Sequence, residues 1–278
     1  MLRNGLYIIA TPIGNLQDIS ARAIEILRQV DVVACEDTRV SKKLFSLLGI
    51  GLQKKFITYE DHSEDKQAQK LIDIINENKS VALISDAGSP LISDPGYKLV
   101  RKCREQDVYV TAVPGACAVI TALQLSGLPT NRFMFAGFVP NKEKARKDLF
   151  CELKDIDTTL VFYETAPRLL KTLGVMSEVF AKREIAAARE ITKLYEEVVN
   201  GDAETVMAHF EENEPRGEFV LMVAPPQAKN ESAENLRQIL AERLKTTSLK
   251  TAVKEVCSEF NISKNEVYAL ALELKDEK

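Results

Sequence analysis

Ionisable residues recur where apolar, strand-like runs of the sequence end. Residues 35–39 (C-E-D-T-R) place two carboxylates beside a guanidinium, and residues 59–64 (Y-E-D-H-S-E) follow the next such run. His62 is a candidate general base, since an imidazole titrates near neutral pH. Asp37 is explained equally well as a helix cap or as the ion-pair partner of Arg39.

Three further loops consist mainly of small residues. Residues 85–96 (S-D-A-G-S-P-L-I-S-D-P-G) leave backbone N–H and C=O groups accessible to a polar ligand. Residues 113–118 (V-P-G-A-C-A) lead from a strand to a helix N-terminus, and packing is the better explanation for Cys117. Residues 10–16 (A-T-P-I-G-N-L) match neither G-x-G-x-x-G nor a Walker A loop, so standard nucleotide binding is unsupported.

Charged residues also lie at predicted strand ends in the second half of the chain, at 162–168 (F-Y-E-T-A-P-R), 189–193 (R-E-I-T-K) and 217–219 (G-E-F). Taken alone, each is better explained as a capped turn or a surface ion pair. The run at 142–147 (K-E-K-A-R-K) fits either a solvated helix face or a local basic patch.

Short β-branched runs that alternate with helical patterns must position these loops. We predict strands at 6–11, 32–36, 55–59, 81–85, 108–113, 133–138, 159–164, 184–189, 195–199 and 218–224. Such alternation predicts an α/β architecture with largely parallel sheet, whose strand ends hold the ligand. Ser41 is predicted to cap a helix that stops at Gly49.

Glycine and proline divide the chain into α/β domains at 1–115 and 116–227 and a helical extension at 228–278. Helices are predicted at 248–260 and 263–274, the second with a capping box of Ser263 and Glu266. The pair is a helix-turn-helix candidate, although a packing or dimerisation role is at least as well supported.

Composition excludes several classes of protein. The chain has 278 residues, 45% hydrophobic and 28% charged, which argues against disorder. Neither a spanning helix nor a signal peptide is recognisable, so a cytoplasmic location is expected. Five isolated cysteines and two histidines argue against a disulfide framework and a metal site. The net charge of −4 argues against RNA binding unless a local basic patch provides it.

Together and in this order, the quoted motifs resemble the ribosomal RNA small subunit methyltransferase I family of the tetrapyrrole-methylase superfamily. The resemblance covers nearly the whole chain. It implies two α/β domains with a cleft for S-adenosylmethionine, and 2′-O-methylation of a cytidine in small-subunit (16S) ribosomal RNA. One departure is that Glu60 stands where the family usually has the first histidine of Y-H-E-H-N-E. A catalytic role for that histidine therefore cannot apply.

The resemblance also implies roles for individual residues. The implied cofactor contacts are Asp86, Ala87, Gly88, Leu91, Pro114, Gly115, Cys117, Ala118, Phe162, Tyr163 and Glu164. On the acceptor side it implies Pro12, Gly14 and Asn15, with Arg39, Arg168 and Arg189 as phosphate contacts. The candidate bases are Asp37, His62, Glu190 and Lys193. Lys193 would alternatively stabilise an emerging alkoxide, and no metal is required.

Two other functions stay open from sequence. A methylase of a tetrapyrrole-like small molecule would keep the same fold and cofactor. A DNA-binding regulator is the other, but 228–278 is electrically neutral, which argues against strong duplex binding. We also expect a homodimer, because pairing would join two local basic surfaces. If the helical extension shares in that surface, deleting it should weaken ribosome binding only.

Overall fold

In the computed structural model of the chain, the described residues are 2–60, 64–226, 233–260 and 264–276. They form two compact units. One unit comprises Met1–Lys154 and Thr158–Ala224, and the other comprises Asp155–Asp157 and Pro225–Lys278. The first unit contains two five-stranded sheets, and the second contains three helices.

The first sheet is entirely parallel. Its strands are β1 (Gly5–Ile9), β2 (Val32–Cys35), β3 (Lys55–Thr58), β4 (Ser80–Ile84) and β5 (Val110–Val113). They are ordered β3-β2-β4-β1-β5. Because parallel strands point the same way, the loops after β1, β2 and β4 emerge at one edge of the sheet.

Helices cover both faces of this sheet. They are α1 (Ala21–Gln29), α2 (Thr38–Leu47), α3 (Glu64–Asn76) and α4 (Tyr97–Glu105). All five residues of β4 are buried. Val81 and Leu83 pack with α3 and α4, whereas Ala82 and Ile84 pack with α1 and α2. Burial on both faces explains why this strand reads as a continuous apolar run.

The start of α2 differs from the prediction. Asp37, and not Ser41, is the N-cap, and its carboxylate accepts the backbone N–H of Arg39 at 2.7 Å. Ser41 therefore falls inside the helix, where it is buried. The Asp37 cap starts the helix one turn earlier than a serine cap at Ser41 would. The helix ends before Gly49, as predicted.

The second sheet is mostly antiparallel, so the prediction of largely parallel sheet is wrong here. Its strands are β6 (Phe133–Phe138), β7 (Thr159–Thr165), β8 (Ile185–Arg189), β9 (Glu197–Gly201) and β10 (Glu218–Val223), in the order β6-β7-β10-β8-β9. Only the β6–β7 pair is parallel among these described strands. The short link between β8 and β9 is too small for a crossover, which forces an antiparallel pair.

Four helices accompany this sheet: α5 (Ala118–Ser126), α6 (Glu143–Leu153), α7 (Leu169–Phe180) and α8 (Ala203–Glu212). α5 packs against one face, where its Val119 and Leu123 join a cluster with Val161 of β7. On the other face, Phe150 contacts Phe162 with ring centroids 5.3 Å apart. Successive residues of β7 thus point to opposite faces.

The second unit comprises α9 (Ala233–Thr246), α10 (Leu249–Phe260) and α11 (Lys264–Asp276). α10 and α11 match the two predicted helices, and α9 was not predicted. Leu240, Val256 and Val267 lie in a core that all three helices share. The predicted cap residue Ser263 lies outside the described residues. In the described part of the chain, no helix has the length and apolar character needed to cross a membrane.

Candidate active site

A cleft of about 260 Å³ lies where loops of the two sheets meet. The first half of the chain supplies Ile13, Glu36, Asp86, Ala87, Gly88, Ser89, Ile92, Ser93 and Asp94. The second half supplies Cys117, Ala118, Phe138, Tyr163, Glu164, Glu190, Ile191, Lys193, Glu218, Phe219 and Val220. The cleft therefore collects strand-end residues from both sheets, as expected for a ligand site.

The loop after β4 is held in place by its own backbone. Thr11 and Gly88 exchange two backbone hydrogen bonds, of 2.8 and 3.1 Å. Leu91 and Ser93 have positive φ angles of 73° and 65°, a conformation that costs about 1–3 kcal/mol in a non-glycine residue. The Leu91 side chain packs on the core of the first sheet and not in the cleft. Leu91 therefore anchors the loop that carries Asp86 to Ser89.

Asp86 is the cleft carboxylate of the first half whose environment is best defined. Its Oδ1 accepts the backbone N–H of Asp37 at 3.2 Å. Burial raises the pKa of Asp86, and the nearby Asp37 charge also raises it, although the hydrogen bond acts in the opposite direction. The fold thus places a partly desolvated carboxylate at the cleft wall.

An aromatic group forms part of the opposite wall. The Tyr163 ring lies between Phe135 and Phe138, with centroid distances of 4.8 and 5.2 Å. Burial raises the pKa of Tyr163 to about 12, so its hydroxyl stays protonated at neutral pH. The neighbouring Phe162 points away from the cleft and packs on Phe150.

The turn at 190–193 brings two of the candidate bases together. Lys193 Nζ donates to Glu190 Oε1 at 2.9 Å and lies 3.7 Å from Glu218 Oε2. Burial lowers the pKa of Lys193, but the hydrogen bonds and charges of Glu190 and Glu218 outweigh it, and the pKa ends above its ordinary value. Lys193 is therefore a cation at neutral pH and cannot serve there as a general base.

Two glycines make room for this pair. A Cβ on Gly14 would come within 2.5 Å of Lys193 Cγ, and a Cβ on Gly217 would overlap the Glu190 carboxylate. Gly217 also has a φ of +79°, which an L side chain rarely adopts. The predicted acceptor-side residue Gly14 thus lies against Lys193 and does not itself line the cleft.

The three arginines predicted to contact phosphate already hold carboxylates. Arg39 pairs with Asp37 at 2.7 Å and is 90% exposed. Arg168 pairs with the buried Glu164 at 3.0 Å. Arg189 pairs with Glu197 at 2.6 Å, so each of the three guanidinium groups lies within ion-pair distance of a carboxylate. Asp37, so paired and with its pKa lowered to about 2 by the Arg39 hydrogen bonds, does not line the cleft.

The remaining predicted residues lie next to the cleft or outside the described part of the chain. Asn15 caps the short turn Leu16–Asp18, and Gly115 lies against Ala10. Pro12 and Pro114 flank cleft loops without lining the cleft. His62 lies outside the described residues.

Several cleft residues were not predicted, although the quoted motifs contain them. Glu36, Asp94 and Glu218 each lie one or two residues from a predicted site residue or loop boundary. Glu36 and Asp94 follow strands and Glu218 begins one, so their position at strand ends was the available signal. In the part of the chain that is described, no three histidine, cysteine or carboxylate side chains are grouped as metal ligands.

Comparison with known proteins places these observations in a family. The profile of the family described as Tetrapyrrole (Corrin/Porphyrin) Methylases matches residues 5–207. A protein of Erythrobacter litoralis named ribosomal RNA small subunit methyltransferase I is 50% identical, covering 99% of this chain and 96% of that protein. The protein of the same name from Rickettsia prowazekii is 43% identical, covering 97% of each chain. The chain belongs to the ribosomal RNA small subunit methyltransferase I family.

The membership extends to the helical unit. A second profile, described as the RsmI C-terminal HTH domain, matches residues 230–275, which cover α9, α10 and α11 up to its last residue but one. Solved structures support the fold of the rest. Uroporphyrin-III-C-methyltransferase from Thermus thermophilus aligns with a TM-score of 0.56 at 19% identity, over 80% of this chain and 94% of that one. Diphthine synthase aligns with a TM-score of 0.58 at 15% identity, over 79% and 89%.

Proposed function

We propose that the protein transfers a methyl group from S-adenosylmethionine to the ribose 2′-hydroxyl of a cytidine in small-subunit (16S) ribosomal RNA. The observation that carries the proposal is the identity of 43–50% along nearly the whole chain to proteins named for ribosomal RNA methylation. The match includes the helical unit, which supports an RNA acceptor over a tetrapyrrole-like small molecule.

The cleft residues fit the cofactor in charge and shape. Among the described residues, six carboxylates and one lysine line the cleft, a balance that favours a ligand carrying sulfonium and ammonium charges. Ala87 and Gly88 leave the backbone accessible for polar contacts, and Ile92, Phe138 and Tyr163 offer an apolar surface for a purine. The first turn of α5, which begins after Cys117, offers N–H groups to a carboxylate.

S-adenosylmethionine supplies a methyl group that its sulfonium already activates. The protein then has to align the acceptor oxygen with that methyl group, exclude water and manage one proton. Alignment falls to the cleft walls, because the residues that line them come from both sheets and are fixed by the cores. Asp86, Ala87, Gly88, Cys117, Ala118, Tyr163 and Glu164 are the predicted cofactor contacts that line the cleft.

We assign removal of the 2′-hydroxyl proton to Glu190. We assign stabilisation of the resulting negative charge to Lys193. Glu190 is the carboxylate candidate that both lines the cleft and contacts Lys193. The Lys193 ammonium stabilises the negative charge that develops on the ribose oxygen as its proton leaves. Asp37 is excluded from this role because its carboxylate is held by Arg39, outside the cleft.

The decisive experiment is transfer of labelled methyl to small ribosomal subunits from a strain that lacks this gene. Nucleoside digestion and mass analysis should find the label in 2′-O-methylcytidine. Subunits from the parent strain, already modified, are the matched control and should accept little label. Cofactor binding without label in RNA would contradict RNA as the methyl acceptor and favour a small-molecule acceptor.

The proposal extends to the assembly. Because ribosomal subunits are the proposed substrate, we also propose a cytoplasmic location. We further propose that the protein acts as a homodimer with the helical unit as part of the RNA-binding surface. Light scattering of the purified chain should give twice the mass of 31.0 kDa. A monomeric mass at the concentration used for methyl transfer would contradict the dimer.

A further inference from the structure

A second concavity, which we call the α6–α7 groove, has a volume of about 440 Å³. Asn141, Glu143 and Arg146 line it from the N-terminal end of α6, and Lys171, Gly174 and Glu178 line it from α7. None of the described residues lines both this groove and the active-site cleft. The charged run at 142–147 therefore borders a recess and does not form only a solvated helix face.

Arg146 is buried with too few partners. The residue is only 3% exposed, yet among the described residues its guanidinium donates one hydrogen bond, from Nη2 to the Asn141 carbonyl at 3.3 Å. Its Nε has no partner among the described residues. A buried guanidinium normally holds a carboxylate or phosphate that satisfies several of its five N–H donors. Among the described residues, Arg146 thus has fewer acceptors than a buried guanidinium normally has.

The start of α6 adds a second attraction for an anion. This 11-residue helix has Lys142 at its N-cap and no side-chain hydrogen bond to cap it. The N–H groups of its first turn have no acceptor within the helix and carry the positive end of the helix dipole. Arg146 and this helix terminus both border the groove.

The charges around the groove also favour an anion. Lys171 is exposed and forms no ion pair with any described residue. Glu178 is neutralised by Lys147 at 2.7 Å, which leaves Glu143 as the opposing charge. One arginine and one lysine thus face one uncompensated carboxylate. A phosphate matches the forked guanidinium better than a monatomic anion does.

We propose that the α6–α7 groove binds a backbone phosphate of the acceptor RNA. This assignment rests on the proposed function, since it takes the acceptor to be RNA. Asn141 at the groove is three residues from Phe138 at the cleft, so their Cα atoms lie within about 11 Å. A strand whose ribose enters the cleft therefore carries phosphates close to the groove.

Two variants test the groove without touching Arg146, whose loss could unfold the chain. Gly174→Leu fills the groove, because a Cβ at Gly174 meets no atom within 4 Å, and leucine favours a helix more than glycine does. Lys171→Ala removes an exposed charge. Lys182→Ala, in the exposed turn after α7, is the matched control because Lys182 is also exposed and no described carboxylate lies within 4.0 Å of its ammonium group.

Binding of unmodified small subunits is measured across a salt series. We expect Gly174→Leu to raise Kd about tenfold and Lys171→Ala to reduce the slope of log Kd against log salt by about 0.7–0.9, the effect of one lost phosphate contact. The Kd for S-adenosylmethionine and the kcat should stay at wild-type values. Groove variants that bind subunits as tightly as Lys182→Ala, with an unchanged slope, would overturn the proposal.

A separate measurement uses inorganic phosphate. Phosphate should raise the melting temperature of the wild type above that in chloride of equal ionic strength, and Gly174→Leu should abolish the shift. A phosphate shift with unchanged RNA affinity would overturn the RNA assignment in favour of free phosphate. If the wild type neither binds nor methylates subunits, the proposed function and the RNA assignment both fail. The shift of the melting temperature by phosphate then decides by itself whether the groove binds anions.

Discussion

The two walls of the active-site cleft differ in kind. The wall from the first sheet is a loop of small residues whose backbone is fixed by the Thr11–Gly88 hydrogen bonds and by the packing of Leu91. The wall from the second sheet carries the lysine of the cleft, Lys193, and its aromatic rings. We therefore expect the first half of the chain to hold the ligand mainly through its main chain and the second half to provide the side chains for chemistry.

The difference between the two walls is tested most directly at Lys193. We expect Lys193→Met to lower kcat by about 10²–10³, the cost of removing a preorganised charge from a developing anion. The Kd for the cofactor should change little, and Lys193→Arg should keep part of the rate. Rates follow from methyl transfer under single-turnover conditions.

The control for Lys193→Met is Lys43→Met, which removes an exposed lysine of α2. It should leave the rate unchanged. A wild-type kcat in Lys193→Met would show that the charge of the second wall is not used. An equal loss of cofactor affinity and rate would assign Lys193 to binding and not to chemistry.

The second-largest loss of rate is expected at Gly217, whose lack of a side chain leaves space for the Glu190 carboxylate. Gly217→Ala should displace the Glu190 carboxylate and lower kcat about 10²-fold. Gly49→Ala is the matched control, because Gly49 also has a positive φ, +62°, but has open space around its Cβ position. Both variants should lose about 1–2 kcal/mol of unfolding free energy through the strained backbone.

Thermal unfolding and methyl transfer, measured side by side, separate the two effects. If Gly49→Ala and Gly217→Ala lose activity equally, backbone strain and not the position of Glu190 is responsible. If only Gly217→Ala loses activity, the turn at 190–193 is the reacting part of the second wall.

Asp86 tests the first wall, where we expect opposite effects on stability and binding. Because its folded pKa is raised, the associated stability is fully present below pH ~3.9 and is lost as the pH rises through the folded pKa. At pH 7 the ionised carboxylate is therefore penalised. Asp86→Asn, which keeps an acceptor for the Asp37 N–H, should melt at a higher temperature than the wild type at pH 7 and at a similar one below pH ~3.9.

The same variant should bind S-adenosylmethionine about tenfold more weakly, or about 1.4 kcal/mol, because a charge that faces a cationic ligand is lost. Calorimetry at pH 7 measures this. Asp31→Asn is a useful contrast: burial raises the pKa of Asp31, but the hydrogen bonds from Ser80 and the charges of Lys54 and Lys79 together outweigh this and lower the pKa overall. Asp31→Asn should therefore destabilise the protein at pH 7. Greater stability in both variants would contradict the pKa argument.

Sequence patterns predicted the strands and the loops that form the cleft, because strand ends and small-residue loops are local features. They could not tell that Arg189 faces Glu197, since that pair depends on the register of the antiparallel β8–β9 pair. They also could not decide between Phe162 and Tyr163. Successive residues of a strand point to opposite faces of the sheet. Because β7 is apolar on both faces, the sequence does not tell which face borders the cleft.

Other differences arise from competing local signals. Asp37 and Ser41 are both good N-caps, and only the observed hydrogen bond to Arg39 distinguishes them. The family expected from the motifs is confirmed by the comparisons, whereas the individual site residues stay predictions.

The smallest expected effect concerns the hydroxyl of Tyr163. With a pKa of about 12, this phenol is neutral across the working pH range, so it contributes no charge to ligand binding or to the reaction. Tyr163→Phe keeps the ring between Phe135 and Phe138 and should change cofactor Kd and kcat by no more than about twofold. Tyr163→Ala removes the ring and should weaken cofactor binding by about tenfold or more. A tenfold loss in Tyr163→Phe would instead make the hydroxyl a polar contact, and the second wall would then bind the ligand through a neutral donor as well as through its charges.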